Sequence, residues 1–479
     1  MDIGRGRTIL IAGAGLAGTL IAILLARRGF RVEVCERRPD LRRTAGSAGR
    51  SINLALSTRG VRALAEAGLA ERVLATTLPM ESRGLHGPDG SFAQQPYGQP
   101  GQAIRSVSRR LLNEALLDVA EAEPNVRLRF ACVVTFVDLD AAAGPVVHAT
   151  TPEGDVRLEG SFVIGADGVS SAVRDALARR PGFEFEEMTL PHGYKELEVR
   201  PTERGDFALR PDCLHIWPRH DYMLIALPNA DRTFTCTLFA RFDGADSFAE
   251  ADPDPLAFFQ ARFPDALPLL PDLEAQWASH PTSQLTTIAC APFHDGGRAV
   301  LVGDAAHAVV PFYGQGMNAA FESCSLLCRL LDAHDGDADA ALPAFTAARK
   351  ADAEAIRQLA LANFIEMRSS VADGRFLLRR RLGRAVEARA GAAFVPLYSM
   401  VSFSNLPYAL ALQLGRAREA WLDVALERLP GYEQPASVSD AAVFALADAL
   451  AADVLQGRVP EAIRQPQAEV DPDGLGGEA

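Results

Sequence analysis

Lysine is nearly absent from this 479-residue chain: it occurs only at Lys195 and Lys350, so arginine carries almost all of the positive charge. Acidic residues still outnumber basic ones, and a formal net charge of −13 argues against nucleic acid as a partner. The arginine bias accompanies abundant alanine and glycine. We interpret it as genome composition and attach no general function to it.

Cysteine and histidine are present, but their spacing matches no redox or metal-binding motif. The seven cysteines form no C-x-x-C pair, and the nine histidines show no metal-ligand spacing. Cys324 and Cys328 share a helix face and are read as small core residues in a reducing compartment. The sequence therefore predicts no metal site, and we expect a cytoplasmic protein.

The apolar run from Ile9 to Ala26 has about the length that a membrane helix requires. Three glycines, Gly13, Gly15 and Gly18, instead divide it into a strand, a turn and a buried helix. We also expect no signal peptide, because Arg5 and Arg7 lead straight into the strand and no cleavage site follows. With 48% hydrophobic residues, the chain can bury a large core in two or three lobes.

The beginning of the chain has the order of a dinucleotide-binding unit. A strand (Thr8–Ile11) precedes the GxGxxG turn, and a helix over Thr19–Arg28 and a second strand over Phe30–Cys35 follow it. Glu36 then ends the second strand, where an acid can hold ribose hydroxyls. This arrangement predicts nucleotide binding, with pyrophosphate close to the glycines.

Two later segments end a strand in an acidic turn. Phe162–Ile164 runs into Gly-Ala-Asp-Gly, where Asp167 is either a simple helix cap or a cofactor contact. Arg298–Val302 runs into Gly303-Asp304, and a Gly-rich turn at Gly314 and Gly316 then opens an Ala-rich helix. Asp304 can accept hydrogen bonds from a sugar alcohol, and the helix N-terminus can face an electron-accepting ring.

In this order the three elements resemble the single-component FAD-dependent aromatic hydroxylases. Four further segments are similar to the branch of that family that hydroxylates L-kynurenine: residues 49–57 (GRSINLALS), 192–197 (HGYKEL), 310–318 (VPFYGQGMN) and 396–403 (PLYSMVSF). The match spans roughly residues 8 to 408. It implies that NADPH reduces FAD, O2 adds to give a flavin hydroperoxide, and one oxygen atom enters the ring ortho to the aniline nitrogen.

The resemblance and the motif chemistry together assign binding residues, and no side chain is expected to act as a catalytic group because the flavin hydroperoxide is the reagent. The predicted FAD contacts are Gly13, Gly15, Leu16, Ala17, Gly18, Glu36, Arg37, Arg38, Ala55, Arg109, Val134, Asp167, Asp304, Gly316, Met317 and Asn318. The predicted substrate contacts are Arg83, Tyr97 and Tyr398 for the carboxylate, Asn363, Glu366 and Met367 on one helix face, and Pro311 and Phe312 at the flavin–substrate junction.

Each of these assignments has a plainer interpretation. Without the family match, Arg83 is an exposed loop arginine, Arg109 a solvated helix arginine and Asn363 a buried core amide. A planar guanidinium does suit a substrate carboxylate. Since a second GxGxxG is missing, NADPH should dock transiently instead of having a Rossmann domain of its own.

The expected fold class is α/β: a Rossmann-like FAD-binding domain with an interleaved β-sheet substrate domain and a C-terminal helical region. The predicted bounds are 1–75, 101–184 and 289–342 for the FAD domain, 76–100 and 185–288 for the substrate domain, 343–464 for the helical region and 465–479 for a disordered tail. Residues 437–455 are amphipathic and contain several aspartates, where eukaryotic relatives carry a membrane anchor, so we expect no membrane attachment. A homodimer is left open.

Three alternatives remain at this point. A related FAD hydroxylase could act on another ortho-amino aryl acid or ketone. A flavin halogenase shares the N-terminal fold, but its WxWxIP segment is absent, since Trp217, Trp277 and Trp421 stand singly. A non-enzymatic carrier with a nucleotide-binding fold would not take up FAD and would be colourless.

Overall fold

The computed structural model describes residues 3–4, 6–43, 53–368 and 374–464. These residues form two compact units. Unit 1 is drawn from residues 1–77, 107–190 and 284–360, and unit 2 from residues 78–106, 191–283 and 361 onward. The tail predicted to be disordered and the first four residues of the GRSINLALS segment lie outside the described residues.

Within the described residues the strands all lie before residue 302, and helices follow them. The strands are β1 (Thr8–Ala12), β2 (Arg31–Cys35), β3 (Asn53–Leu56), β4 (Leu78–Met80), β5 (Ser82–His86), β6 (Phe92–Pro96), β7 (Ile104–Ser108), β8 (Val126–Arg129), β9 (Val133–Asp138), β10 (Val146–Thr151), β11 (Gly154–Glu159), β12 (Phe162–Gly165), β13 (Glu184–Val199), β14 (Cys213–Arg219), β15 (Tyr222–Pro228), β16 (Phe234–Arg241), β17 (Ser283–Ala291), β18 (His294–Asp295) and β19 (Ala299–Leu301). The α-helices are α1 (Leu16–Ala26), α2 (Thr58–Glu66), α3 (Ala70–Leu74), α4 (Arg109–Ala122), α5 (Ala172–Leu177), α6 (Phe248–Ala251), α7 (Pro255–Arg262), α8 (Leu273–Ser279), α9 (Asp304–His307), α10 (Gly316–Ala333), α11 (Ala338–Arg368), α12 (Gly374–Ala390), α13 (Leu397–Phe403), α14 (Tyr408–Leu426) and α15 (Asp440–Leu455).

Unit 1 contains a six-stranded sheet in the order β18-β19-β12-β1-β2-β8. Strand β1 pairs in parallel with β2 and β12, and β12 pairs in parallel with β19. Ile9, Leu10 and Ile11 are at most 1% exposed, because a parallel strand with helices on both faces is buried on both sides. The predicted Rossmann-like α/β domain is confirmed.

The long apolar run at the N-terminus forms β1, a glycine turn and α1. The helix begins at Leu16, three residues before the predicted start at Thr19, and ends at Ala26, two residues before the predicted end at Arg28. Residues 18–26 of α1 are all buried in the core of unit 1. The run is apolar because its strand and helix pack inside a protein.

One predicted helix boundary was wrong. The sequence predicts a helix from Ser106 to Ala122, but Ile104–Ser108 is a strand that pairs antiparallel with β4, Leu78 opposite Ser106. The helix starts at Arg109, and the Ser108 hydroxyl accepts a hydrogen bond from the backbone N–H of Leu111. Pairing with a distant strand outweighed the local helix propensity.

The largest sheet has the order β17-β13-β16-β15-β14-β5-β6. Residues 76–100, which are rich in glycine and proline, contain the β5–β6 hairpin, in which Arg83 lies opposite Gln95. Strand β5 also pairs in parallel with β14, Arg83 with Leu214. This double pairing fixes the position of Arg83 within unit 2.

Helices cover the sheet of unit 2 and follow it in the chain. Residues 254–280, which contain several prolines, form α7 and α8, and these helices bury Phe259 and Trp277 against strands β14–β16. Helices α12, α14 and α15 share a separate core that includes Leu382, Leu426 and Leu450. No helix within the described ranges is long and apolar enough to cross a membrane.

Candidate active site

Four turns with acidic or glycine residues lie at one edge of the six-stranded sheet. Strands β2, β1, β12 and β19 are neighbours and run parallel. The turns after them carry Glu36, Gly13, Asp167 and Asp304. Because neighbouring parallel strands end at the same edge, the three sequence motifs meet where open α/β sheets bind ligands.

Gly13 allows the first two motifs to approach each other closely. Its φ is +94°, and a Cβ at this position would lie 2.5 Å from the carbonyl oxygen of Ala166. A side chain is therefore excluded for both conformational and steric reasons. Helix α1 follows directly after Gly15, which has no side chain to cap it. The first N–H groups of α1 are thus available to an anion such as a phosphate.

Glu36 is held in place by the glycine turn and by its own loop. Its Oε2 accepts from the backbone N–H of Ala14 at 2.8 Å, and its Oε1 accepts from Arg38 Nε at 2.7 Å. Burial alone would raise the pKa of this carboxyl, but Arg38 and the backbone donors lower it below its ordinary value. Glu36 is therefore an ionised acceptor. Arg37 and Arg38 are both exposed.

The two aspartates differ in their surroundings. Asp167 Oδ2 accepts from the backbone N–H of Ala172 at 2.8 Å, whereas its buried Oδ1 has no hydrogen-bond partner among the described residues. Asp304 is solvent-exposed, yet desolvation by the surrounding protein raises its pKa and the charge of Arg109 opposes that shift. Exposure combined with desolvation is expected of a side chain in a cleft.

The third motif is joined to β3 through Asn318. Its Nδ2 donates to the carbonyl oxygens of Ala55 and Gly314, both at 2.8 Å, and its Oδ1 accepts from the backbone N–H of Ser57 at 3.0 Å. Gly314 has φ +66° and packs on Ala55 so closely that a Cβ would lie 2.8 Å from the Ala55 Cβ. Helix α10 then starts at Gly316, and Gln315 before it makes no side-chain capping bond.

The predicted FAD residues thus all lie in unit 1, but they are not equally placed. Val134 belongs to a separate antiparallel sheet and packs beside Cys35, the residue before Glu36. Met317 is buried, and Arg109 is exposed at the start of α4. Pro311 and Phe312 also lie in unit 1, on the short turn before Gly314, with Pro311 exposed and Phe312 buried.

The other six predicted substrate residues lie in unit 2, and three of them surround Arg83. The Arg83 side chain is 2% exposed, and its Nη1 donates to Glu366 Oε1 at 2.9 Å. The rings of Tyr97 and Tyr398 stack on each other at 5.1 Å, and the guanidinium lies over both. Arg83 is therefore a buried cation that contacts a stacked pair of tyrosine rings, and the exposed-loop interpretation is wrong.

Two polar atoms of this cluster have unused bonding capacity. Arg83 Nε and the Tyr97 hydroxyl are buried, and neither has a hydrogen-bond partner in the described part of the chain. Burial disfavours the charged guanidinium, but Glu366 and the two tyrosines outweigh that effect and hold the pKa of Arg83 above its ordinary value. A charged donor with free N–H capacity is suited to an anionic ligand.

Asn363, Glu366 and Met367 lie on one side of α11, as their spacing predicts. Asn363 is 3% and Met367 2% exposed. Phe364, between them in the chain, packs edge-on against His192 of β13. This part of the helix is therefore fixed to the sheet that carries Arg83.

Comparison with known proteins gives the family. A model of the FAD binding domain matches residues 7–360. Kynurenine 3-monooxygenase of Myxococcus xanthus is 46% identical over 437 residues, covering 90% of this chain and 94% of that protein. The same enzyme of Stenotrophomonas maltophilia is 44% identical over 444 residues, covering 92% and 96%. This chain belongs to the kynurenine 3-monooxygenase family.

The fold of this kynurenine 3-monooxygenase family member is also found among solved structures. The tetrameric form of 2-methyl-3-hydroxypyridine-5-carboxylic acid oxygenase matches with a TM-score of 0.63 and 22% identity, covering 87% of this chain and 98% of that one. The likeness supports the aromatic hydroxylase fold. Membership of the family makes the protein a flavoprotein monooxygenase, so the carrier interpretation is wrong.

The residues of unit 1 fit FAD. A dinucleotide needs a close approach of backbone to pyrophosphate, an acid for ribose and donors at helix N-termini. Gly13, Glu36 and the uncapped starts of α1 and α10 supply these features. The unpartnered Oδ1 of Asp167 adds an acceptor at the same sheet edge.

Sequence reasoning missed a buried charge network behind this site. Glu322 of α10 forms ion pairs with Arg59 through Oε1 and with Arg349 through Oε2, both at 2.7 Å. Arg349 also donates to Ser323 Oγ at 2.9 Å and to the carbonyl oxygen of Ala319 at 2.8 Å. The Arg349 side chain thereby binds three residues in the first turns of α10, Ala319, Glu322 and Ser323.

Proposed function

We propose that this enzyme hydroxylates L-kynurenine at the ring carbon ortho to the aniline nitrogen, consuming NADPH and O2. The residues of unit 1 would hold FAD, which when bound would supply the redox chemistry between NADPH, O2 and the electron-rich ring. The observation that carries the substrate assignment is the buried Arg83 cluster with its free donors. The relatives that share most of this chain are named for the same reaction.

The protein's part is to bind, orient and exclude water. Arg83 would receive the substrate carboxylate, and the hydroxyl of Tyr97 would add a second hydrogen bond, because both groups are buried with unused donors. The Tyr398 ring also contacts the Arg83 guanidinium, at a centroid distance of 5.1 Å. A deeply desolvated guanidinium beside two aromatic rings strongly favours an anion over a neutral amide or ketone.

On unit 1, Glu36 would hold the FAD ribose, the start of α1 its pyrophosphate, and Asp304 the ribityl chain. The uncapped start of α10 would face the electron-accepting ring, where N–H groups stabilise developing negative charge. Pro311 and Phe312 directly precede this turn, which supports their predicted place beside the flavin. The position of NADPH is left unassigned.

The test is substrate-stimulated NADPH oxidation by the purified holoenzyme across a panel of aryl amines. L-Kynurenine should give the highest kcat/KM and a product heavier by one oxygen atom. Anthranilate and 2-aminoacetophenone, which lack the amino-acid end, should stimulate oxidation weakly. Higher kcat/KM with either of them would favour a related hydroxylase for another ortho-amino aryl compound and overturn this proposal.

A further inference from the structure

Glu366 lies between two guanidinium groups, only one of which was predicted from the sequence. Its Oε1 is 2.9 Å from Arg83 Nη1 and 3.8 Å from Arg380 Nη1. Arg83 comes from the β5 strand and Arg380 from α12, so this carboxylate connects two elements of unit 2 with α11. The carboxylate is 29% exposed, whereas Arg83 is almost completely buried.

Arg380 is anchored independently of this carboxylate. Its Nη1 also donates to Gln95 Oε1 at 3.2 Å, on the strand that pairs with β5. Burial lowers the pKa of Arg380 to about 10, helped by the charge of Arg83 and opposed by Glu366. Arg380 therefore remains charged at neutral pH, and the two arginines together exceed the single negative charge of Glu366.

A zwitterionic α-amino acid complements the Arg83–Glu366 pair. The ligand carries a carboxylate and an ammonium on one carbon, and the protein offers a guanidinium and a carboxylate in direct contact. Placed antiparallel, each ligand charge meets its opposite. A carboxylic acid without the amino group would bring a second negative charge close to Glu366 and would lack the ammonium group that can bind the Glu366 carboxylate.

We infer that Glu366 binds the α-ammonium group of the substrate while Arg83 binds the substrate carboxylate. Arg380 then balances the negative charge of Glu366 in place of Arg83. This inference rests on the proposed function and adds a selection rule to it. The enzyme distinguishes zwitterionic amino acids from simple aryl keto acids by the amino group. Glu366 and Arg380 are then specificity-determining residues, distinct from the carboxylate anchor.

The experiment compares two ligands that differ only in the amino group: L-kynurenine and 4-(2-aminophenyl)-4-oxobutanoic acid. Their dissociation constants are measured by calorimetry on the FAD-loaded wild type, Glu366→Gln and Arg380→Met. A Glu354→Gln variant is the matched control, because Glu354 lies on the same helix and pairs instead with Arg357. Thermal unfolding of each holoenzyme checks that the variants are folded.

We expect the wild type to bind L-kynurenine at least about tenfold more tightly than the des-amino acid, as one charge-assisted hydrogen bond predicts. Glu366→Gln should reduce this ratio to below about threefold, by weakening L-kynurenine and leaving the des-amino acid unchanged or tighter. Glu354→Gln should keep the wild-type ratio.

Arg380→Met should weaken the des-amino acid by about tenfold, since Glu366 then stays on Arg83. Adding Glu366→Gln to that variant should restore the lost binding. Equal weakening of both ligands by Glu366→Gln would mean that this residue only holds Arg83 in place, and it would overturn the inference. An unchanged ratio, or a double variant as weak as Arg380→Met, would do the same. If the wild type fails to bind L-kynurenine at all, the proposed function itself falls.

Discussion

Replacing Arg83 by methionine separates substrate binding from cofactor binding most cleanly. Methionine keeps an unbranched side chain against the stacked rings of Tyr97 and Tyr398 while removing the charge. The partners of Arg83 are Glu366 and these two rings, and none of them is among the residues proposed to hold FAD. FAD content should therefore match that of the wild type.

The size of the effect follows from the contacts. A bidentate carboxylate–guanidinium interaction contributes two charge-assisted hydrogen bonds, together about 3–4 kcal/mol. At about 1.4 kcal/mol per factor of ten, KM should rise roughly 150- to 800-fold. Because the carboxylate is remote from the reacting carbon, it is bound equally before and during the reaction, so kcat should change little.

Removal of a buried cation also affects stability. Loss of one partner from a buried ion pair typically costs about 3–5 kcal/mol, since the remaining charge is uncompensated. Here Arg380 lies 3.8 Å from the same Glu366 oxygen and can take over. Arg83→Met should thus lower the free energy of unfolding by about 1–3 kcal/mol.

The assay is steady-state NADPH oxidation with product quantification, together with flavin absorbance and urea unfolding. Arg83→Lys retains the charge without the planar fork and should recover only part of the affinity. Arg389→Met is a suitable control, since Arg389 pairs with Asp448 on the exposed side of α12. A KM for Arg83→Met within threefold of the wild type would remove Arg83 from the substrate site, as would an equal rise in the Arg389→Met control.

Three further changes probe unit 1. Arg349→Met should lower the free energy of unfolding by about 3–5 kcal/mol in urea titrations, because Glu322 loses a buried partner. The control Arg357→Met, on the same helix, should lower it by less than about 1 kcal/mol. Gly13→Ala should weaken FAD binding by at least about 100-fold in fluorescence titrations, since its Cβ would collide with the backbone. His307 is the pH probe: burial, with help from the charge of Arg349, lowers its pKa from 6.5 to about 3. Below pH 6.5 this histidine takes up a proton in the unfolded chain but stays neutral in the folded protein. The free energy of unfolding should therefore fall between pH 6.5 and 3 by up to about 1.4 kcal/mol per pH unit. His307→Gln should make this pH dependence less steep.

The parts of the site that could be predicted are those that a short local sequence motif specifies. Gly13 and Glu36 follow their strands directly, so a local pattern predicts both the turn and the acid. Asp167 and Asp304 are predictable for the same reason. The order β19-β12-β1-β2, which brings these turns to one edge, is a property of the whole sheet.

Sequence reasoning predicted Arg83 and Glu366 but missed the contacts that join residues far apart in the chain. Arg83 and Glu366 are 283 positions apart, and Arg59 and Glu322 are 263 apart. Nothing near Arg380 in the sequence distinguishes it from Arg379 or Arg381, because all three stand in one run of arginines. Only the folded chain shows that Arg380 reaches Glu366 while Arg379 pairs with Asp423.

The two buried arginine networks differ in a way that separates support from recognition. Glu322 has both oxygens bound at 2.7 Å, and Arg349 uses its Nε and both terminal nitrogens. A fully paired network of this kind makes a helix start rigid. Around Arg83, by contrast, the Nε and the Tyr97 hydroxyl have no protein partner in the described chain. An unpaired buried donor costs about 1–3 kcal/mol, and a site that tolerates two of them is stabilised when an anion arrives. The stability of the Arg83 cluster should therefore rise on substrate binding, whereas that of the Arg349 network should not.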